Sequence, residues 1–190
     1  VMGRCSVREV AEQDWICCPT CRSGLRQVVR ETELKCSGCG AVYPIVEREI
    51  PLLLPQGSND ERSDVQGFWR ALYEAAYAEA HEAIGDADLD DRLGQLRELF
   101  EHRQHLAVRE IRLDEIQGQR VLEVGSGAGA HSALFNRHGA EVFSLDLTRE
   151  RVAATAKMLD RVNGPASVCV QGDAEALPFP DQFFDIVYSN

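Results

Sequence analysis

The most informative stretch of this chain is Val121-Leu122-Glu123-Val124-Gly125-Ser126-Gly127-Ala128-Gly129, a short apolar segment that runs into a glycine-rich turn. The acid Glu123 comes two residues before the first glycine. Glycine has no Cβ, so it accepts left-handed backbone conformations and lets a ligand come close to the chain. A helix predicted from about Ala130 points its positive end at the same place. The stretch therefore predicts a strand, a ligand-binding turn and a helix, in that order.

Acidic residues also end the next strands of the predicted sheet. The buried segment 140–145 ends at Asp146, about 20 residues past Gly125, where a ribose-binding acid is expected. A carboxylate there accepts hydrogen bonds from both ribose hydroxyls and repels a 2′-phosphate. A third predicted strand begins at residue 168 and is followed by the acidic turn at Asp173. Residues 183–188 are predicted to form a fourth strand. The glycines alone also fit an NAD-linked enzyme or a ligand-free doubly wound domain, but four elements in this order favour neither.

The succession V-L-E-V-G-S-G-A-G, an acid after the next strand, G-D-A-E-A-L-P-F and F-D-I-V-Y-S-N resembles the class I S-adenosylmethionine-dependent methyltransferases, in particular the methyltransferase type 11 group. The resemblance covers residues 119–190 and implies an α/β fold with a partial Rossmann-like sheet, strand order 3-2-1-4. It implies S-adenosylmethionine as the cofactor. The implied contacts are Glu123, Gly125, Ser126, Gly127 and Gly129 at the methionine end, Asp146 on the ribose, Leu147 on the adenine face, Asp173 and the Ala174 amide on the adenine edge, and Ser189 with Asn190 beside the amino group and substrate.

The reaction that this resemblance implies is an in-line displacement, in which a substrate atom attacks the methyl group of the sulfonium. The leaving group is already activated by its positive charge, so the protein contributes mainly positioning and desolvation. Little acid–base machinery is needed. We therefore assign no catalytic residue from the sequence.

A second strong signal lies in two C-x-x-C pairs, Cys18 with Cys21 and Cys36 with Cys39. Four thiolates at about 2.3 Å complete a closed tetrahedral shell around Zn²⁺, which leaves no position for water and predicts a structural metal. Cys17 could replace Cys18, which we prefer as the ligand. Buried thiols or a disulfide framework are the alternatives, against which the paired spacing and the lack of a secretory signal both weigh.

The segment around these cysteines predicts two hairpins. Residues 27–30 pair with 33–35, and residues 41–55 form the second, although no glycine stands at its turn near 47–49. The segment resembles the small zinc-binding ribbon that serves as an activator subunit of RNA and protein methyltransferases and that precedes some bacterial methyltransferase domains. We expect three parts: a zinc ribbon at 1–60, a helical lid or linker at 61–118, and the N-terminal part of the cofactor-binding domain at 119–190.

The helical part begins with Ser63 as the predicted N-cap and Gly85 as the predicted stop. The apolar and aromatic residues between them are Phe68, Trp69, Leu72, Tyr73 and Tyr77. A packing stripe is the simpler interpretation, and the alternative is that the aromatic residues wall a substrate pocket. A second helix is predicted from the apolar residues Leu93, Leu96, Leu99, Phe100, Leu106, Ile111 and Leu113.

Composition indicates a cytoplasmic globular protein without a membrane segment. The 190 residues are 44% hydrophobic and carry a formal net charge of −11, and no apolar run reaches the roughly 18 residues of a membrane span. The charge disfavours nucleic acid as a partner without excluding it. Because the chain stops at Asn190, after the fourth strand, we expect a fragment of a longer enzyme. The exposed edge of that strand could otherwise bind a protein partner or a second copy.

Three functions remain open from the sequence. The first is methyl transfer to a small-molecule acceptor, which suits an acidic chain with aromatic helices. The second is an RNA methyltransferase similar to those that modify a ribosomal guanine, with the ribbon gripping RNA. The third is a non-catalytic adaptor whose ribbon binds a protein partner.

Overall fold

The computed structural model describes residues 15–28, 32–57, 60–79, 83–102 and 111–190. Its strands are β1 (Leu25–Val28), β2 (Glu33–Cys36), β3 (Val42–Val46), β4 (Ile50–Leu53), β5 (Arg120–Val124), β6 (Glu141–Asp146), β7 (Val168–Gly172) and β8 (Ile186–Ser189). Its helices are α1 (Asp60–Ala76), α2 (Asp86–His102), α3 (Ala130–Arg137) and α4 (Arg149–Leu159). The eight strands join in one sheet in the order β1-β2-β3-β4-β7-β6-β5-β8.

The four strands of the C-terminal part are parallel and lie in the order β7-β6-β5-β8. This is the predicted 3-2-1-4 order, and the predicted fold class is confirmed. Successive residues of a strand point to opposite faces, so Val121 packs with α2, α3 and α4 while Leu122 packs on the other side. Because both faces are covered, the carboxyl ends of β5, β6 and β7 are left as the edge where polar side chains collect.

The ribbon strands continue this sheet, which the sequence did not predict. In β4, Leu52 and Leu53 pair in parallel with Gln171 and Gly172 of β7. Trp15 is 2% exposed, and its ring centroid lies 5.5 Å from that of Phe143. The ribbon therefore covers the outer edge of β7 and part of one sheet face, so its folding and that of the parallel sheet depend on each other.

The second predicted hairpin forms without a turn glycine. Strands β3 and β4 are antiparallel, with Val46 opposite Ile50, and a short 3₁₀ turn over Glu47–Glu49 joins them. Glu49 takes the left-handed conformation, with φ of 59°. A residue with a Cβ adopts it at a cost of roughly 1–2 kcal/mol, which the flanking strand pairs offset.

Helix α1 differs from its prediction in two ways. It begins at Asp60, so Ser63 lies inside the first turns and is not the N-cap. None of its residues is buried, and Phe68 is 62% exposed, so the predicted packing stripe is wrong. Gly85 does not stop this helix, because α1 ends at Ala76 and Gly85 directly precedes α2.

Helix α2 packs against α3. Its buried residues Leu89, Leu93 and Phe100 share a core with Leu134 and Phe135. Ile111 and Leu113 are buried in the same core but follow the helix, and Leu106 lies outside the described residues. In the ranges that the structure describes, none of the helices combines the length and apolar character needed to cross a bilayer.

Candidate functional site

A cavity of about 440 Å³ opens at the carboxyl ends of the parallel strands, under helix α1. This volume is within the range of small-molecule sites. Its walls are Glu61, Arg62, Val65 and Trp69 of α1, Arg151 of α4, and the strand-end residues Val124, Gly125, Leu145, Asp146, Leu147, Gly172, Asp173, Ala174, Glu175, Ser189 and Asn190.

The structure brings most of the predicted cofactor residues to this cavity. Those in its walls are Gly125, Asp146, Leu147, Asp173, Ala174 and Ser189. Glu123, Ser126, Gly127 and Gly129 are not among the lining residues. The last three continue the same turn, whereas the side chain of Glu123 points elsewhere. Contact of these ten residues with the cofactor stays a prediction.

The glycine turn has the left-handed backbone that its sequence requires. Gly125, Gly127 and Gly129 have φ of 77°, 57° and 85°. The amides of Gly125 and Ser126 both donate to the Leu145 carbonyl, at 2.8 and 3.0 Å, which ties the turn to the end of β6. These two hydrogen bonds hold the turn against the sheet.

Gly129→Ala is expected to destabilise the protein by about 2 kcal/mol or more. A Cβ there would lie 2.8 Å from the Cα of Thr155, and the left-handed φ adds strain. The matched control is Gly94→Ala in α2, where a Cβ meets nothing within 4 Å and alanine favours the helix. Thermal unfolding should show a large drop for the first variant and an unchanged or raised midpoint for the second. Equal midpoints would mean that α4 does not pack on the turn as described.

Asp146 is fixed by the turn on one side and by helix α4 on the other. Its Oδ2 accepts the Gly127 amide at 3.0 Å, and its Oδ1 accepts the Thr148 amide at 2.9 Å and hydroxyl at 3.1 Å. The residue is 5% exposed and lies in the cavity wall. Each carboxylate oxygen has two acceptor positions, so Oδ2 keeps capacity for a ligand hydroxyl.

Glu123 is buried beneath the glycine turn, at 3% exposure. Its Oε2 accepts a short hydrogen bond from the Ser132 hydroxyl, and its Oε1 lies 3.5 Å from Nδ1 of His131. Both partners are in the first turn of α3, where the helix dipole favours a negative charge. Burial, and then the nearby Glu123 charge, raises the pKa of Tyr188. Glu123 therefore holds the start of α3 against β5.

Asp173 carries a contact that the sequence analysis missed. Arg62 of α1 forms an ion pair with it, with Nε 2.6 Å from Oδ2, and both side chains line the cavity. Trp69, predicted as a substrate-pocket candidate, also lines it, and the Arg151 guanidinium lies over its ring at 4.7 Å. The sequence feature that could have predicted this contact is the set of polar residues at 62, 66 and 70, which recur every four positions on α1.

The four predicted metal ligands Cys18, Cys21, Cys36 and Cys39 come together, with their Sγ atoms all within 4.8 Å of one another. Two of the separations are 3.7 Å, between Cys18 and Cys39, and 3.4 Å, between Cys21 and Cys36. A tetrahedron of sulfurs at about 2.3 Å from Zn²⁺ has edges of about 3.8 Å. Cys17 is not in this group, and its amide donates to the Pro178 carbonyl at 2.9 Å.

The pKa values of two thiols in this cluster, Cys21 and Cys39, are shifted in opposite directions. Hydrogen bonds from Ser23 lower the pKa of Cys21 to about 6. A backbone hydrogen bond from Ala41 favours the Cys39 thiolate, but Cys36 and the other neighbouring thiols together with burial outweigh it and raise the pKa of Cys39 to about 12. Four thiolates this close repel one another unless a cation lies among them. The donor set therefore fits Zn²⁺.

The parallel sheet, the glycine turn and the strand-end acids resemble those of the class I S-adenosylmethionine-dependent methyltransferases, and the cysteine cluster resembles that of a zinc ribbon. Residues 122–190 match the family model described as "Methyltransferase domain", and residues 14–47 match the one described as "Trm112p-like protein". Both predicted resemblances are confirmed.

Individual relatives match over part of the chain. A phthiotriol/phenolphthiotriol dimycocerosates methyltransferase of Mycobacterium ulcerans is 41% identical over 75 residues, which is 38% of this chain and 27% of the relative. A demethylmenaquinone methyltransferase of Thermobifida fusca is 32% identical over 101 residues, 53% of this chain and 43% of the relative. The solved structure of the YcgJ protein from Bacillus subtilis is 29% identical with a TM-score of 0.36, covering 53% of this chain and 38% of that one. The chain spans less than half the length of each.

Proposed function

We propose that residues 119–190 bind S-adenosylmethionine and that the complete protein transfers its methyl group to a small-molecule acceptor. The observation that carries the proposal is the fixed carboxylate of Asp146 beside the left-handed glycine turn, in the wall of one cavity. In the same proposal the ribbon occupies residues 1–60 and the helical lid residues 61–118.

Different residues of the chain contact different parts of the cofactor. Oδ2 of Asp146 accepts from a ribose hydroxyl, and Leu147 packs on the adenine ring. Asp173 accepts from the exocyclic amino group, while the Ala174 amide donates to a ring nitrogen. The glycine turn and the start of α3, held by Glu123, meet the methionine carboxylate with backbone N–H groups.

Bound in this way, the cofactor supplies a methyl group on a positively charged sulfur. The protein then orients the acceptor in line with that group and excludes water, which can contribute about 7–11 kcal/mol. Trp69 on α1 and Ser189 with Asn190 after β8 are the wall residues left to face an acceptor. Removal of the acceptor's proton needs no strong base, and we assign none.

A small molecule is favoured as the acceptor by charge and by the relatives. The net charge of −11 opposes binding to a polyanion such as RNA. The two relatives described above are named for phthiotriol dimycocerosates and for demethylmenaquinone. An aromatic wall residue, Trp69, is suited to an apolar or planar acceptor.

We also propose that the four-cysteine cluster holds one structural Zn²⁺. All four positions of a tetrahedral ion are then filled by sulfur, and the ion takes no part in the reaction. Reduced thiolates of this kind suit a reducing compartment, which supports a cytoplasmic location.

Calorimetric titration of the zinc-loaded chain with S-adenosylhomocysteine and S-adenosylmethionine tests the cofactor proposal. We expect micromolar or tighter binding of both. A folded, zinc-loaded chain that binds neither would contradict it. The acceptor proposal is then tested by incubating the complete protein with labelled cofactor and either demethylated quinones or ribosomal RNA. Label appearing only in RNA would contradict a small-molecule acceptor, and cofactor binding without any transfer would favour an adaptor.

A further inference from the structure

Helix α1 is held over the cavity by three polar side chains on one face. The Arg62 guanidinium reaches Asp173, and the Gln66 amide donates to the Leu147 carbonyl at 3.0 Å. One turn further, Nε of Arg70 lies 3.2 Å from a carboxylate oxygen of Glu150. Residues four apart share a helix face, so the three contacts align α1 along the ends of β6 and β7.

The contact between Arg62 and Asp173 is the most protected of the three. Their side chains are 17% and 12% exposed, whereas those of Arg70 and Glu150 are 48% and 32% exposed. Nη1 of Arg62 also donates to the Pro55 carbonyl at 3.3 Å. A charge-assisted contact in a partly dry site fixes geometry much better than an exposed ion pair.

Asp173 is thereby held from two directions. Its Oδ2 faces Nε of Arg62, and its Oδ1 accepts the Glu175 amide at 2.9 Å. Each oxygen keeps a second acceptor position. Because Asp173 lines the cavity, a remaining position is available to a hydrogen-bond donor there.

We propose that Arg62 is a positioning residue that sets the preference of this site for a 6-aminopurine. It fixes the Asp173 carboxylate so that its free acceptor position meets the exocyclic amino group of the base. A 6-oxopurine presents an oxygen at that position, and two acceptors repel. Without Arg62 the Asp173 carboxylate can rotate away from the base. The 6-amino group then loses its hydrogen-bond acceptor, and the 6-oxo group is no longer repelled by the carboxylate. The inference rests on the proposed cofactor site.

The experiment compares two probes, S-adenosylhomocysteine and S-inosylhomocysteine, which differ in the 6-amino or 6-oxo group and in N1, an acceptor in the first and an N–H donor in the second. The contribution of N1 is common to all variants, so the effect of Arg62 is measured as the change in preference between them. Calorimetric titration of the zinc-loaded full chain gives the ratio of the two dissociation constants. For the unsubstituted chain we expect a preference of roughly 100-fold for the amino compound, since a hydrogen bond to a charged group is strong. In Arg62→Ala and Arg62→Gln the preference should fall by roughly 10-fold.

Arg70→Ala is the matched control, because it removes a neighbouring anchor of α1 without touching Asp173 or the cavity wall. It should keep the full preference. If Arg62→Ala and Arg62→Gln weaken both probes equally, Arg62 only supports the fold and the proposal is overturned. An unchanged preference in both variants overturns it too. Failure of the unsubstituted chain to bind S-adenosylhomocysteine would instead contradict the proposed function.

Discussion

Cys36→Ser is expected to release the metal from the cysteine cluster and to unfold the ribbon. Cys36 is 2% exposed, and its sulfur accepts the amides of Gly38 and Cys39 at 3.3 and 3.4 Å. A structural Zn²⁺ site in a small domain supplies about 10–16 kcal/mol of binding free energy, most of which needs all four ligands. Replacing Cys36 should therefore remove most of this stabilisation.

The loss should extend beyond the ribbon, because β4 belongs to the parallel sheet. Unfolding β4 removes its pairing with Gln171 and Gly172 and exposes the edge of β7. Trp15 would also leave Phe143 and Phe179, with which it shares a core. We expect the variant to show a thermal midpoint lower by more than 10 °C and weaker binding of S-adenosylhomocysteine, since Asp173 directly follows β7.

Cys17→Ser is the matched control for this experiment. Cys17 is also buried, but its sulfur is outside the four-sulfur group. This variant should keep one zinc per chain, measured by elemental analysis after dialysis, and lose only about 1 kcal/mol. Zinc lost from Cys17→Ser and kept by Cys18→Ser would assign the ligand to Cys17. Full zinc retention with an unchanged midpoint in Cys36→Ser would contradict a metal in this cluster.

The parts of the fold that follow from local chemistry were predictable. The glycine turn needs three left-handed residues, and only a sequence such as Gly125 to Gly129 offers them at that spacing. The acids at the ends of β6 and β7, Asp146 and Asp173, mark the carboxyl edge of a parallel sheet. The two C-x-x-C pairs likewise predict a four-sulfur cluster, because the turn within each pair must direct two sulfur atoms toward one point.

The union of the ribbon with the sheet was not predictable in this way. It depends on pairing Leu52 and Leu53 with Gln171 and Gly172, more than a hundred residues later. Neither segment contains a sequence feature that identifies the other as its pairing partner, since backbone pairing is largely independent of side-chain identity. The packing of Trp15 was not predictable for the same reason, because its partners Phe143 and Phe179 come together only in the folded chain.

The orientation of α1 was predicted wrongly for a related reason. Apolar residues repeat along the helix, and such a repeat usually marks the buried face. Here the inward contacts are made by Arg62, Gln66 and Arg70, because the surface beneath them consists of a carboxylate, a carbonyl and a second carboxylate. A polar surface selects a polar helix face, and that surface exists only once the strands have assembled.

Asp146→Ala is expected to lower the affinity for S-adenosylhomocysteine by roughly 10- to 100-fold. One hydrogen bond from a ribose hydroxyl to the remaining acceptor position of the carboxylate contributes about 1.5–3 kcal/mol, and 1.4 kcal/mol corresponds to a factor of ten. The change also leaves the amides of Gly127 and Thr148 without their acceptor. The variant should therefore be less stable and should also bind more weakly, and the two effects must be separated.

Thr148→Val separates them, because it removes the hydroxyl that supports Asp146 while keeping the carboxylate itself. We expect a comparable loss of stability from this variant, about 1 kcal/mol, with affinity within a few-fold of the original. Ligand-induced stabilisation gives a second measure that does not depend on the starting midpoint. At a ligand concentration 100 times the dissociation constant of the original chain, that chain and Thr148→Val should gain about 2.7 kcal/mol, and Asp146→Ala should gain only about 0.4–1.4 kcal/mol. Equal gains in all three would place the ribose away from Asp146 and overturn the cofactor site, whereas a loss confined to Asp146→Ala would tie binding to that one carboxylate.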